Sequence, residues 1–444
     1  MKKICILFLM IGLLFSCGNK TKNNKTANLA KTEVAQQPNI IFILSDDQSW
    51  TDYSFMGDEN IETPRLDKFA SESLTFTRGY VPTPLCSPSL ASIITGLYPK
   101  DHGIYGNDKV YERIKEDRVA NNKNRAEAYK PIISAFEKQT TLPDMLKEKG
   151  YLSFQTGKWW HGNHKIGGFD DGMTHGDPER GGRHGDFGLT IAREGLDTIS
   201  NYVDVALKQK KPFFLWYAPF MPHTPHTPPA RLYEKYKKKT DSEYLAKYWA
   251  MCEWFDETCG ELFDLIEDKG QMENTLFVYV CDNGWRQDPE KGTYLKESKR
   301  APYDLGIRTP IMYKWAGKIS PKMDTKTIVN SIDMVPTVLD ILDIEKPDNL
   351  SGISVLDSKS INERKGFFGE VYAHDFDTVE NSMYYNMAIF PPYKIIVPNP
   401  VSKKDEVIQL FNIDTDPFEK NNIAESNPEV VKDLQEKIYA FRSK

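Results

Sequence analysis

PNIIFILSDDQ, residues 38–48, sets the reading of this chain. Ile40 to Leu44 is an unbroken apolar run of strand length, the pattern of a parallel strand covered on both faces. Two carboxylates, Asp46 and Asp47, stand just past its C-terminal end. The same design recurs in PFFLWYAPFMPH, residues 212–223, and in NTLFVYVCDNG, residues 274–284. The former delivers His223 beyond its run, and the latter delivers Asp282 and Asn283. In open sheets of parallel strands, ligands bind along that edge. The chain is therefore expected to be α/β, with Asp46, Asp47, Asp282, Asn283 and His223 as neighbours. Taken singly, each reads more readily as a turn, cap or other structural residue than as a ligand. Together, three carboxylates and an amide carbonyl repel one another without a cation. All-oxygen donors suit a hard ion such as calcium.

A second stretch, PTPLCSPSLASIITGLYPKDHGIYGN at residues 82–107, carries a cysteine at a helix start. Ser87 can cap that helix and Pro88 suits its first turn. The exposed N–H groups and the helix dipole favour negative charge there. Six cysteines are present. Cys5 falls in the leader and Cys17 directly after it. Cys252 and Cys259 lie on one expected helix, where seven residues rise about 10 Å, too far for a disulfide. They and Cys281 read as core thiols. Cys86 then stands without an obvious partner, and oxidative modification accounts for such a residue in an oxidising compartment.

The chain has 444 residues, is 40% hydrophobic and carries a formal charge of −6. That length buries a large core, and that charge gives no reason to expect nucleic acid. A polyanionic substrate must instead be met by a local cluster of cations. Lys2 and Lys3 precede an apolar run at residues 4–15 that is too short to span a bilayer. It ends in Leu14-Phe15-Ser16-Cys17, which resembles a bacterial lipobox. Residues 1–16 are expected to be a signal peptide and residues 17–37 a lipidated cysteine with a flexible, polar tether. The protein is then an exported lipoprotein of the bacterial outer membrane, anchored through the lipid on Cys17.

Residues 63–99, TPRLDKFASESLTFTRGYVPTPLCSPSLASIITGLYP, resemble the signature of the sulfatase family, in which a C-x-P-x-R cysteine becomes formylglycine. The arginine of that motif is Leu90 here. PNIIFILSDDQ and NTLFVYVCDNG are similar to the family's two metal-binding segments. The resemblance implies calcium held by Asp46, Asp47, Asp282 and Asn283, with the modified Cys86 side chain also reaching it. YLSFQTGKWWHG, residues 151–162, resembles G-K-W-H-L-G, so Lys158 matches a sulfate-binding lysine. Trp160 replaces the motif histidine and His161 stands one place later, as a catalytic candidate or a loop residue. Residues 222–226, PHTPH, resemble A-P-H-x-P-H and put His223 at the sulfate, with His226 structural or lining the substrate. Residues 298–310, SKRAPYDLGIRTP, resemble K-G-x-x-Y-E-x-G-x-R-x-P, which implies Lys299 as the second sulfate-binding lysine and Arg308 as a structural pair near the site.

The family implies an alkaline-phosphatase-like α/β fold with a large, mostly parallel sheet sandwiched by helices. A catalytic domain at 38–357 is expected to be followed by a smaller α+β subdomain at 358–444, built on an antiparallel sheet with strands near 384–397 and 406–413. Two insertions, 108–138 (charged, expected helical) and 161–188 (irregular, with Arg180, Arg183 and His184), read as specificity elements or plain surface. The implied function is hydrolysis of sulfate esters on oligosaccharides from sulfated polysaccharides. Hydrated formylglycine at position 86 attacks sulfur, and His223 with Lys299 protonates the leaving oxygen. A formylglycine-maturating enzyme is an implied partner, and Arg78 or Arg308 is expected to replace the charge missing at Leu90. A phosphoester or phosphonate hydrolase of the same superfamily and a non-catalytic glycan-binding relative stay open as rivals.

Overall fold

The computed structural model describes residues 37–180, 182 and 184–443. The signal peptide, Cys17 and all of the tether but its last residue lie outside the described residues, as does Arg183. In chain order the first strands are β1 (Asn39–Ser45), β2 (Leu74–Tyr80), β3 (Asp108–Lys109), β4 (Leu152–Gly157), β5 (Asp171–Gly172), β6 (Phe213–Ala218) and β7 (Thr275–Cys281). The remainder are β8 (Arg308–Lys314), β9 (Lys322–Asn330), β10 (Phe367–Tyr372), β11 (Asp375–Phe376), β12 (Met383–Phe390), β13 (Tyr393–Pro398) and β14 (Gln409–Asn412). Eight of them form one sheet in the order β5-β4-β6-β1-β7-β8-β2-β9. Within it only β8 runs against its neighbours, β7 and β2.

The three apolar runs read from the sequence are β1, β6 and β7, side by side at the centre of this sheet. Their side chains alternate between two layers because successive residues of a strand face opposite ways. Ile40, Phe42, Leu44, Trp216, Val278 and Val280 enter one core layer. Ile41, Ile43, Leu215, Tyr217, Phe277 and Tyr279 enter the other. The second layer is closed by the helix Glu243–Asp268, which places Met251, Phe255, Cys259, Leu262 and Ile266 against the sheet. Cys86, Cys252, Cys259 and Cys281 are all buried free thiols.

Cys86 is the first residue of the helix Cys86–Thr95, whose N-cap is Leu85 and makes no side-chain capping bond. The expectation that Ser87 caps this helix is therefore corrected. Ser87 lies inside the first turn, and the Asn107 Oδ1 atom accepts from its backbone N–H at 2.9 Å. The charged insertion contains the helix Arg118–Phe136, preceded by β3. The 161–188 segment is built from short 3-10 turns and the two-residue β5.

An antiparallel sheet, β10-β12-β13-β14, follows, closed by the helix Pro428–Arg442. Its β12, β13 and β14 are the strands expected near 384–397 and 406–413. Phe367, Val371, Met387, Ile396 and Phe411 of this sheet share a core layer with β1 and β7. A buried ionic cluster makes the second attachment. Lys394 Nζ on β13 meets Asp304 Oδ1 at 2.9 Å and Glu419 Oε1 at 2.6 Å. Glu419 also accepts from the Asp304 backbone N–H at 2.5 Å, and Tyr80 donates to Asp304 at 3.2 Å.

That cluster yields a stability prediction. Lys394→Met leaves two carboxylates buried without their cation and is expected to cost about 3–5 kcal/mol, read as a lower denaturation midpoint. Adding Asp304→Asn and Glu419→Gln should restore most of the loss. Lys437→Met, which removes an exposed helix pair with Asp433, should barely move the midpoint.

Candidate active site

Three strand ends are stitched together by backbone bonds. The Asp282 N–H donates to Ser45 O at 3.0 Å, Asp46 N–H to Met221 O at 3.0 Å, and Gln48 N–H to Asn283 O at 3.3 Å. These bonds bring the residues after β1, β6 and β7 to one point. Asp47 has a φ of +64°, the left-handed region that short polar residues tolerate best. The helix Cys86–Thr95 meets the same point, with Cys86 Sγ 3.3 Å from Asn283 Oδ1 and Ser89 Oγ 2.5 Å from Asp282 O. One ligand atom each from Asp46, Asp47, Cys86 and His223 lies within 4.8 Å of the others.

Lys158 enters from the end of β4 because Gly157 has a φ of +72°. A Cβ at Gly157 would stand 1.8 Å from Ala218 O, so no side chain fits there. Lys158 Nζ bonds Asp46 Oδ1 and reaches Asp282 Oδ2 at 3.1 Å. Lys299 Nζ donates to Asp47 Oδ2 at 2.6 Å. His223 Nδ1 bonds Thr224 O at 2.6 Å. Its Nε2 faces Asp47 Oδ2 at 3.3 Å and Lys299 Nζ at 3.5 Å. The two sulfate lysines of the sequence reading thus rest on the carboxylates.

Burial dominates the electrostatics and neighbouring charges divide the outcome. It drives the Asp46 carboxyl well above its ordinary pKa, only partly offset by Lys158. Asp282 is raised for the same reason, again against Lys158. At Asp47 burial is outweighed by Lys299 and His223, which hold it below the usual carboxylate range. Burial opposes both lysine charges, yet Asp282 and Asp46 keep Lys158 protonated and Asp47 keeps Lys299 so. Burial also holds His223 neutral, against the pull of Asp47. The Cys86 thiol is pushed up to about 12 by burial, with Lys158 and Lys299 opposing. As a plain thiol it is therefore inert at neutral pH.

The donor set fits a hard divalent cation. Asp46 Oδ2 is buried with no hydrogen-bond partner, an expensive state for a carboxylate oxygen. In the ionised state that a bound cation would impose, three carboxylates exceed the two ammonium groups by one negative charge. A divalent cation among Asp46, Asp47, Asp282 and Asn283 would reverse that sign and would let the site attract an anionic ester.

Every residue nominated at the strand ends converges here, together with Cys86, Lys158 and Lys299. His161 stands elsewhere. Its ring stacks on Phe136 at 4.1 Å, and Nε2 meets Ser87 O at 3.1 Å and Ser87 Oγ at 3.3 Å. Burial depresses its pKa to about 3, so it is a neutral prop behind the helix start. Leu90 is buried in the core. The expected substitutes for its motif arginine are engaged away from Cys86. Arg78 pairs with Asp414 at 2.7 Å, while Arg308 donates to Thr77 O and lies over Trp50. Lys158 and Lys299 are the cations that act on Cys86. Asn107 was missed by sequence reasoning, although it closes the stretch that begins at Pro82.

Two family models cover the described chain. The Sulfatase model matches residues 38–344, and the model for the C-terminal part of N-sulphoglucosamine sulphohydrolase matches residues 290–444. An N-acetylgalactosamine-6-sulfatase of Canis lupus familiaris is 26% identical over 373 residues, or 74% of this chain and 67% of that protein. An ulvan-active sulfatase of Formosa agariphila is 24% identical, over 98% of this chain and 85% of its own. The solved structure of the sulfatase yidJ from Bacteroides fragilis superimposes with a TM-score of 0.73 at 20% identity, covering 93% of this chain and 97% of that one. It has the same alkaline-phosphatase-like fold. With the Sulfatase model spanning well over half of the sequence, this chain belongs to the sulfatase family, the hydrolases of sulfuric esters.

Proposed function

We propose that this protein removes sulfate from sulfated glycans, using formylglycine at position 86 and calcium. The observation that carries the reading is an inert thiol, Cys86, aimed into a water-excluded nest of three carboxylates, two lysines and a histidine. The matching relatives are named for sulfated glycans, which supports the substrate class. Oxidation of Cys86 to formylglycine would supply a hydrated aldehyde, whose paired hydroxyls would serve as nucleophile toward sulfur and as the means of releasing sulfate. Calcium held by Asp46, Asp47, Asp282 and Asn283 would supply positive charge to the sulfate oxygens and to those hydroxyls.

The remaining work falls to the chain itself. Lys158 Nζ sits between Asp46 and Asp282, and Lys299 Nζ rests on Asp47, so both ammonium groups are positioned before substrate arrives. They stabilise charge that builds on the equatorial oxygens. Lys299 Nζ also holds a proton 3.5 Å from His223 Nε2, the ring atom through which it can pass to the departing oxygen. Phe220, stacked on His223 at 4.1 Å, keeps that ring in place. We also propose, from the leader and lipobox-like sequence alone, that the protein is exported, lipidated at Cys17 and held at the outer membrane. Catalysis is assigned to residues 38–357, with residues 358–444 as a supporting subdomain.

Purified protein from a host with a formylglycine-maturating enzyme is expected to release sulfate from aryl sulfate and from some members of a sulfated-oligosaccharide panel. Faster release of phosphate from aryl phosphate would overturn the assignment. Asp282→Ala should lose activity by at least about 100-fold, together with calcium-dependent thermal stabilisation. Full activity after exhaustive chelation would remove the metal from the account. Peptide mass spectrometry of active protein should find an aldehyde at residue 86. Cys86→Ala should fold, melt near the native temperature and be inactive. Undiminished turnover with only cysteine at that position would exclude the formylglycine route.

A further inference from the structure

Beside the nest lies a second recess of about 410 Å³, lined by Arg113, Arg300, Ala373, His374, Asp375 and Tyr384. Both of its walls are anchored to backbone next to Cys86. On one side the Arg300 backbone N–H donates to Pro84 O at 3.0 Å, and Arg300 directly follows Lys299. Across from it, the Asn107 N–H donates to His374 O at 2.9 Å while Asn107 Oδ1 caps Ser87. The recess is thus pinned within two residues of Cys86 on either side. Its far wall belongs to the C-terminal part, because β11 pairs with β3 in a two-stranded parallel ladder. Gly106 permits that approach, since a Cβ there would lie 2.8 Å from His374 O.

The chemistry of the lining selects an anion. Arg113 approaches Asp375 Oδ2 only to 3.9 Å, a loose and exposed pairing. Arg300 is exposed beside Lys299 with a φ of +66°, and its charge is felt by His374. Asp375 Oδ1 engages His374 Nδ1 at 2.5 Å. Two arginines meet two aspartates here, but Asp108 is buried and Asp375 is half-paired, so the charges most open to a ligand are the guanidinium groups of Arg113 and Arg300. Asp108, His374 and Asp375 also bring one ligand atom each within 4.8 Å of one another. Two guanidinium groups over the same space, and an imidazole nitrogen already taken by Asp375, disfavour a metal ion there. Guanidinium suits planar or tetrahedral oxyanions, which it can grip with two parallel bonds.

We propose that this recess is a subsite for a second anionic group of the substrate, a carboxylate or a further sulfate beside the scissile one, held by Arg300 and Arg113. The inference rests on the glycan-sulfatase reading and narrows it. The preferred substrates are sulfated sugars carrying another negative group on the same or the adjoining residue, as uronates and disulfated sugars do. Tyr384 and Asp375 also line the recess and carry the oxygens that sugar hydroxyls bond.

The test compares three sulfated disaccharides that share the scissile sulfate: one with a uronate carboxylate, one with a second sulfate and one otherwise neutral. Native enzyme should favour at least one doubly anionic substrate in kcat/KM, and which of the two it favours identifies the source of the anion. Arg300→Gln and Arg113→Gln should each reduce that preference about 10-fold or more, through KM rather than kcat. Arg300→Lys should recover part of it. Binding of the same disaccharides to Cys86→Ser protein, read by calorimetry, gives the comparison without turnover. Sulfate release from all three with no preference, or a preference untouched by both glutamine variants, overturns the subsite and leaves the enzyme assignment standing. No turnover of any sulfate ester by aldehyde-bearing enzyme overturns the enzyme assignment, while calorimetry still decides the subsite.

Discussion

Three carboxylates share one water-excluded edge, and the rest of the molecule is arranged around the cost of keeping them there. Removing a carboxylate from water without a counter-charge costs several kcal/mol, so Asp46, Asp47 and Asp282 could not coexist as neighbours alone. Lys158 answers two of them and Lys299 the third. Neither lysine is local to its partner: the separations are 112, 124 and 252 residues. The fold must therefore be complete before the charges are balanced. Site assembly and global folding are one event, and the buried ionic nest is a source of fixed geometry rather than of net stability.

The C-terminal sheet belongs to that same event. It supplies Phe367, Met387 and Phe411 to a core layer shared with the central strands. It also supplies Lys394, whose bond to Asp304 steadies the short helix Asp304–Ile307, which starts five residues beyond Lys299. A strand in the last fifth of the chain thus fixes the approach of a cation in the active site.

How much of this could be read from the sequence follows from what each residue faces. β1, β6 and β7 were legible because both of their faces are buried, which writes an unbroken apolar run. β9 was not, because KMDTKTIVN sits at a sheet edge with its first half largely exposed. The strand-end carboxylates and His223 were legible from position alone, since parallel strands end at a common edge. Lys158 and Lys299 had no such signal and needed the pattern of a known family. Ser87 was misread as a cap because the true acceptor for the helix start reaches in from Asn107, twenty positions away. His161 follows Lys158 closely in sequence, but its ring is drawn off the site by Phe136 of an insertion. The recess between Arg300 and His374 depends on the β3–β11 pairing, two residues long on each side and invisible to any periodicity.

The reversed direction of β8 has a bearing on how such an enzyme diversifies. In an all-parallel sheet each strand offers the ligand edge only the residues that follow it, and the chain must cross the whole domain before it returns. Because β8 starts where β7 ends, residues 282–307 leave the edge and come back to it in one excursion. That single arc carries Asp282 and Asn283 at its departure and Lys299 and Arg300 at its return. Its middle can lengthen, shorten or change character without shifting a single strand of the sheet. Constant chemistry at the two feet and free variation at the crown is an architecture on which new ester preferences can be tried one insertion at a time.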